Sequence, residues 1–266
     1  MIHKQRYLYL FYCTIFVLFI FFIVNFLKYD INPKYLYNKN KTLNFERIYV
    51  INLKERDDRK QIMKDIEEYM NLDFTFINAV NYKDLNTKRY KLKKPVLACF
   101  FSHTNIYKEI IKNNIRNALI LEDDIDVEYN IKKYIKHILN KLPKNWDIVY
   151  LGHCNSSNSI LKEYNGTSLF SDFPNIRKSI RPYCTHAYAV SNKGAQKLLN
   201  NILKTPKIAI DVQIAKSIVK GKLESYSIVP PLFIQSRILY SDISKNWMDL
   251  KSDKLENSVL SKLNIY

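Results

Sequence analysis

The segment Asn117-Ala118-Leu119-Ile120-Leu121-Glu122-Asp123-Asp124-Ile125 decides how the chain is read. A short continuous apolar run has the pattern of a strand buried on both faces of a parallel sheet. Here the run ends in three consecutive carboxylates. Taking an ionised carboxylate out of water is costly unless it is paired. Three together at a strand end therefore imply either a role or an exit to solvent. In open α/β sheets, ligands sit at the carboxyl ends of the strands. The segment marks a candidate seat for a divalent cation that holds a diphosphate; the alternative is a solvated acidic turn.

The flanking sequence supplies the rest of such a sheet. Residues 47–53 read as a first buried strand. Residues 55–70 read as a helix with Ile62, Met63, Ile66 and Met70 at helical spacing. Residues 73–80 read as a second strand, and this strand–helix–strand order opens a doubly wound sheet. Pro95 introduces a helix over 96–113 that carries Ser102 and His103. Beyond the acidic segment the pattern predicts helices at 131–141, 193–203 and 212–219, and strands at 146–152, 185–191 and 224–229. Ile208-Ala209-Ile210-Asp211 is a second apolar run that ends in a carboxylate. Residues 155–182 are polar, contain Gly166, Pro174 and Pro182, and read as a long excursion.

Composition narrows the chemistry. The chain has 266 residues and a formal net charge of +17. Such a field attracts nucleic acid, acidic headgroups or nucleotide phosphates without choosing among them. The four glycines, Gly152, Gly166, Gly194 and Gly221, are dispersed. This excludes the glycine-clustered loops that cradle phosphate with backbone N–H groups. A nucleotide diphosphate would have to be held by a metal and side chains. Six basic residues between Lys83 and Lys94 form either a solvated loop or one that meets an anionic ligand. Cys13, Cys99, Cys154 and Cys184 form no CxxC pair, and the spacing around His153-Cys154 and Cys184-Thr185-His186 disfavours zinc. Cys154 and Cys184 are a candidate disulfide in an oxidising lumen, against free buried thiols.

Residues 7–27 carry no charge and are long enough at helical rise to cross a bilayer core. No small-residue cleavage site follows, which favours a retained anchor. The expected organisation is a short tail at 1–6, a transmembrane anchor at 7–27, a stalk at 28–44, a catalytic domain at 45–240 and a C-terminal tail at 241–266. The expected location is a single-pass membrane, type II with a lumenal domain; Lys4 and Arg6 before the span and Lys28 and Lys34 after it leave the orientation open. Asn40-Lys41-Thr42, Asn155-Ser156-Ser157 and Asn165-Gly166-Thr167 match the glycosylation pattern in an asparagine-rich chain.

Several blocks, in order, resemble glycosyltransferase family 25, which includes bacterial lipooligosaccharide galactosyltransferases and domains of procollagen galactosyltransferases. Ile51-Asn52-Leu53 with Arg56, Asp58 and Arg59 is similar to the family's opening INLxxRxDR. Cys99 with Ser102-His103 resembles its GCxxSH block, with Ala98 where glycine is usual. Leu119 to Asp124 resembles LILEDD. Ala187-Tyr188, Ser191, Gly194-Ala195 and Leu198-Leu199 resemble AYxxSxxGAxxLL, and Ile210-Asp211 a terminal xID. The resemblance implies a GT-A-type fold with a mixed, mostly parallel sheet flanked by helices. It also implies a UDP-sugar donor carrying galactose or glucose, a divalent metal such as Mn²⁺, inverting transfer, and a glycan or protein acceptor. No nucleic-acid partner is expected.

Particular residues would carry this chemistry. A hard cation bound by oxygen ligands neutralises a diphosphate as the sugar departs. Glu122 and Asp124, one residue apart, can face the ion together while Asp123 points away; Asp124 is the expected main ligand, with Glu122 or Asp123 as the second. Asn52, Arg56, Arg59, Ser102 and His103 are the expected donor contacts, although Arg56 and Arg59 have a competing role pairing with Asp57 or Asp58. Asp211 is the candidate base for the acceptor hydroxyl, against a role as a helix N-cap. Three other readings compete: a hydrolase using the acidic cluster, a membrane-tethered anion or nucleic-acid binder, and a transferase fold that binds without catalysing.

Overall fold

The computed structural model describes residues 40–86, 89–154, 161–163, 174–236, 238 and 254–265, with Thr14, Phe16 and Phe19. It divides into units Met1–Asn38 and Lys39–Tyr266. Thr14, Phe16 and Phe19 are helical and exposed. The rest of the expected anchor at 7–27 lies outside the described residues, as do Asn155, Asn165 and the segment 239–253. No helix among the described residues is long and apolar enough to cross a membrane.

The second unit is a three-layer α/β/α domain. Its strands are β1 (Arg47–Asn52), β2 (Phe74–Asn78), β3 (Asn117–Glu122), β4 (Ile125–Val127), β5 (Ile148–Gly152), β6 (Leu161–Glu163), β7 (Asn175–Ser179), β8 (Ala187–Ser191), β9 (Ser225–Val229) and β10 (Phe233–Gln235). Its helices are α1 (Asp57–Tyr69), α2 (Lys94–Lys112), α3 (Ile131–Lys141), α4 (Asn192–Lys197), α5 (Ile210–Val219) and α6 (Val259–Lys262). A π-helical turn, Leu198–Ile202, continues α4. The main sheet has the order β2-β1-β3-β8-β5-β9-β7-β6. Strands β2, β1 and β3 are parallel, β8 runs against both β3 and β5, and β5 and β9 are parallel again. Strands β7 and β6 close the edge with antiparallel pairs. Six of the eight strands thus share one direction.

Alternation along the strands divides the core between the two faces. Ile48, Val50, Leu119, Leu121, Val149 and Ala189 face Met63 and Ile66 of α1 and Ile131, Ile135 and Ile138 of α3. Tyr49, Ile51, Ala118, Ile120, Tyr150 and Tyr188 face Phe100, Ile106 and Ile110 of α2, Ala195 of α4 and Ile214 of α5. Gly194 lies where α4 crosses the backbone of Asp147; a Cβ there would collide with that carbonyl.

Three expectations change. The excursion at 155–182 contains β6 and β7, which extend the sheet; β7 pairs with β9, some fifty residues on and beyond the reach of local patterning, and β6 pairs with β7. The helix expected at 212–219 begins two residues earlier, at Ile210, and takes in the end of the apolar run at 208–211. The domain also reaches past 45–240: Leu43 from the expected stalk and Val259 and Leu260 from the expected tail are fully or almost fully buried in the core. The 254–265 segment is fastened at β4. Asp126 accepts bonds from Ser258 Oγ at 2.6 Å and the Leu260 N–H at 3.1 Å. Glu128 accepts from the Asn257 N–H at 2.8 Å and from its side-chain amide at 3.2 Å.

Candidate active site

Strands β1 and β3 are adjacent and parallel, so Asn52 and the Glu122 turn emerge side by side at their carboxyl ends. Because β8 is antiparallel, its entry, Thr185-His186, arrives at the same edge; the Glu122 N–H donates to the His186 carbonyl at 2.9 Å. A cleft opens there, walled by Arg59, Tyr82, Cys99, Ser102, His103, Glu122, Asp123, Asp124 and Gln235. The start of α1 supplies Arg59, and α2 supplies Cys99, Ser102 and His103. Tyr82 and Pro95, at the two ends of the basic loop, also line the cleft. Lys83, Arg89, Lys91, Lys93 and Lys94 along that loop are exposed.

The three acids occupy different environments. Asp123 is saturated: Oδ1 takes a 2.8 Å ion pair from Arg59 and Oδ2 a 2.8 Å bond from the Asn52 amide. Burial raises its pKa, and Arg59 and Asn52 oppose the shift. Glu122 accepts from Thr185 Oγ1 at 2.9 Å and lies 3.2 Å from His103 Nε2. Burial would raise its carboxyl, but the His103 hydrogen bond, the charges of His103 and His186, and Thr185 together hold it below the usual value. Asp124 Oδ2 receives Gln235 Nε2 at 2.9 Å and Arg59 at 3.3 Å. Its Oδ1 is buried without a hydrogen-bond partner among the described residues. Burial, and then the negative charge of Glu122, push Asp124 up to about 7.

His103 is fixed from both sides. Its Nδ1 lies 2.8 Å from the Tyr188 hydroxyl, which is 2.5 Å from that of Tyr107. Ser102 lines the cleft, yet its hydroxyl is committed to the backbone: it donates to the Ala98 carbonyl at 2.8 Å and accepts the Val80 N–H at 2.9 Å. Arg56 lies apart from the cleft lining and pairs with Asp58 at 2.9 Å. Asp211 is not an N-cap. Ala209 holds the cap position of α5, and Asp211 Oδ2 accepts the Cys184 N–H at 3.2 Å. Cys184 has φ of +66° and forms a disulfide with Cys154, with a Cα–Cα distance of 5.6 Å. Zinc ligation by those two thiols is thereby excluded in this state.

The structure thus gathers Arg59, Ser102, His103, Glu122, Asp123 and Asp124 in one cleft, joins Asn52 to it through Asp123, and leaves Arg56 and Asp211 off its lining. Sequence reasoning missed Gln235 and Thr185 as partners of the acids and Tyr188 as the partner of His103. Gln235 comes from β10, which is antiparallel to β4, a pairing no local pattern announces. A divalent cation fits this donor set on one observation above all: a buried carboxylate oxygen of Asp124 lacks a partner beside Glu122. Asp123, with both oxygens engaged, does not offer itself as a ligand.

The chain is 31% identical over 182 residues to procollagen galactosyltransferase 1-B of Xenopus laevis, covering 59% of this chain and 28% of the relative. It is 26% identical over 178 residues to human procollagen galactosyltransferase 2, with the same coverage. It is also 26% identical over 182 residues to a bovine protein named probable inactive glycosyltransferase 25 family member 3, covering 59% of this chain and 29% of that one. The chain therefore spans under a third of the length of these relatives. The family model described as glycosyltransferase family 25 (LPS biosynthesis protein) matches residues 45–214, which include every acid of the cleft. By that match this chain belongs to glycosyltransferase family 25.

Proposed function

We propose that the chain is a glycosyltransferase that moves a hexose, galactose or glucose, from a UDP-sugar to a hydroxyl of a glycan or protein acceptor. The observation that carries the reading is the partnerless, buried Oδ1 of Asp124 beside Glu122, in a cleft at the carboxyl ends of parallel strands. Glu122 and Asp124 would hold the divalent cation, Mn²⁺ or a similar hard ion. When bound, that ion supplies charge neutralisation for the leaving diphosphate. Arg59 balances Asp123 and Asp124, so the cleft does not carry three uncompensated charges. The exposed lysines of the basic loop supply the field that draws an anionic donor to the cleft mouth. His103 orients Glu122, while Ser102 holds the Val80 turn that forms one wall.

Asp211 is the group we assign to the acceptor proton: it stands off the cleft lining, held by the Cys184 N–H, but close enough that its charge acts on Cys99 in the cleft wall. The residues at 7–27 would anchor the domain to a membrane, type II with the domain in the lumen. The Cys154–Cys184 disulfide fits such an oxidising compartment.

The test is a panel of UDP-sugars with the full-length chain, with and without Mn²⁺, scored for release of UDP and for transfer to added acceptors. Metal-dependent turnover of one sugar, lost in Asp124→Ala, supports the reading. Turnover that ignores metal and survives Asp124→Ala refutes it. Asp211→Asn should lower transfer at least ~100-fold while UDP-sugar binding stays within about threefold; equal loss of both removes Asp211 from the base role.

A further inference from the structure

We propose that Cys99, His103 and Glu122 form a site for a zinc-class divalent ion, distinct in ligand chemistry from the oxygen pair Glu122 and Asp124. Cys99 and His103 lie four residues apart on α2 and so share one face of the helix. The end of β3 brings Glu122 to that face. The thiol sulfur, an imidazole nitrogen and a carboxylate oxygen all lie within 4.8 Å of one another. Zinc bonds of about 2.0–2.3 Å in tetrahedral array place ligand atoms roughly 3.4–3.7 Å apart. Closing the set around an ion therefore needs side-chain shifts of only about an ångström.

The surroundings suit such an ion. A ligating histidine is oriented by a hydrogen bond at its other nitrogen, and the Tyr188 hydroxyl already stands 2.8 Å from His103 Nδ1, backed by Tyr107. Cys99, His103 and Glu122 all line the open cleft, which gives an ion an entry path. Thiolate with imidazole favours zinc over manganese or magnesium, which prefer all-oxygen sets. Glu122 belongs to both sets, so an ion in one displaces an ion from the other. The binding claim is independent of the transferase reading; the competition rests on it.

Cobalt(II) is the probe, added to the full-length, non-reduced chain, in which Cys154 and Cys184 are bonded to each other. The expected result is one equivalent of cobalt giving a thiolate charge-transfer band in the near ultraviolet and intense tetrahedral visible bands, both bleached by zinc. Cys99→Ser and Cys99→Ala should each lose the charge-transfer band, Cys13→Ser should keep it, and His103→Gln should weaken cobalt binding at least tenfold. Absence of the band in the parent chain, or its survival in both Cys99 variants, overturns the site. In the transfer assay, zinc should inhibit Mn²⁺-supported turnover, and Cys99→Ser should raise the zinc concentration needed at least tenfold. Unchanged zinc sensitivity refutes the competition. A cobalt band in a chain that turns over no UDP-sugar with any metal leaves the zinc site standing and removes the transferase reading.

Discussion

Two sets of buried acids sit on either side of one short turn, and they behave as opposites. Asp126 and Glu128 on and after β4 are saturated by donors from 257–260 and from the local backbone. Asp124, two residues before Asp126, keeps one buried oxygen without a hydrogen-bond partner. The same residue type fastens a chain segment in one place and stays open in the other. The donors decide which: where the fold brings backbone N–H groups and hydroxyls to every lone pair, the acid is structural, and where it withholds one, the acid is available to a ligand.

The sharpest way to break this contrast is to cut both sides. Asp124→Ala should lower metal-dependent turnover about 100-fold or more, with no loss of melting temperature. If turnover persists, the open oxygen is not a ligand.

Next in size is Arg59→Met. The Arg59 and Asp123 side chains are 6% and 9% exposed, and removing the cation leaves the acid buried and unbalanced. The expected cost is about 3–5 kcal/mol, read as a fall of roughly 10 °C in melting temperature. An unchanged melt would mean that Asp123 takes up a proton or moves to water.

Asp126→Ala should cost about 3 kcal/mol by orphaning its donors, yet leave turnover per folded molecule intact. Loss of turnover beyond the loss of folded protein would erase the distinction between the two sets.

The smallest effect tests the open set alone, through pH. Asp124 titrates near 7 in the fold, well above its unfolded value near 3.8. Between those values the native state holds a proton that the unfolded chain has lost. The metal-free protein therefore gains stability as pH falls from about 7 towards 4, and carries the burden of the charge above 7. Asp124→Asn should melt several degrees higher than the parent at pH 8, and the gap should shrink by pH 5.5. A gap independent of pH would show that Asp124 does not titrate there.

How much of this was legible beforehand follows the range of the interactions. The strand ending at Glu122, the helices of both outer layers and the cleft residues of α1 and α2 are visible because hydrophobic period and short motifs are local. The motif turns Asp123 away from Glu122 and Asp124 yet also offers it as a second metal ligand; in the fold its two oxygens are taken by Arg59 and Asn52. Arg59 itself was expected at the donor, and nothing near it in sequence indicates that it balances two acids some sixty residues downstream. Gln235 reaches Asp124 across 111 residues. Asp126 and Glu128 gave no signal at all, because their donors come from a segment that looked like a loose tail. Period and motif identify which residues are buried or reactive. They do not say which donors will meet a buried acid.

The clasp between β4 and residues 257–260 also sets a schedule. Asp126 precedes Ser258 by 132 residues. At roughly 5–20 residues per second, a ribosome takes on the order of ten seconds to cover that distance. During that interval Asp126 and Glu128 have, of these partners, only the local donors at Val127 and Asn130. The strand that follows the cleft acids is therefore completed by a segment made 132 residues after it.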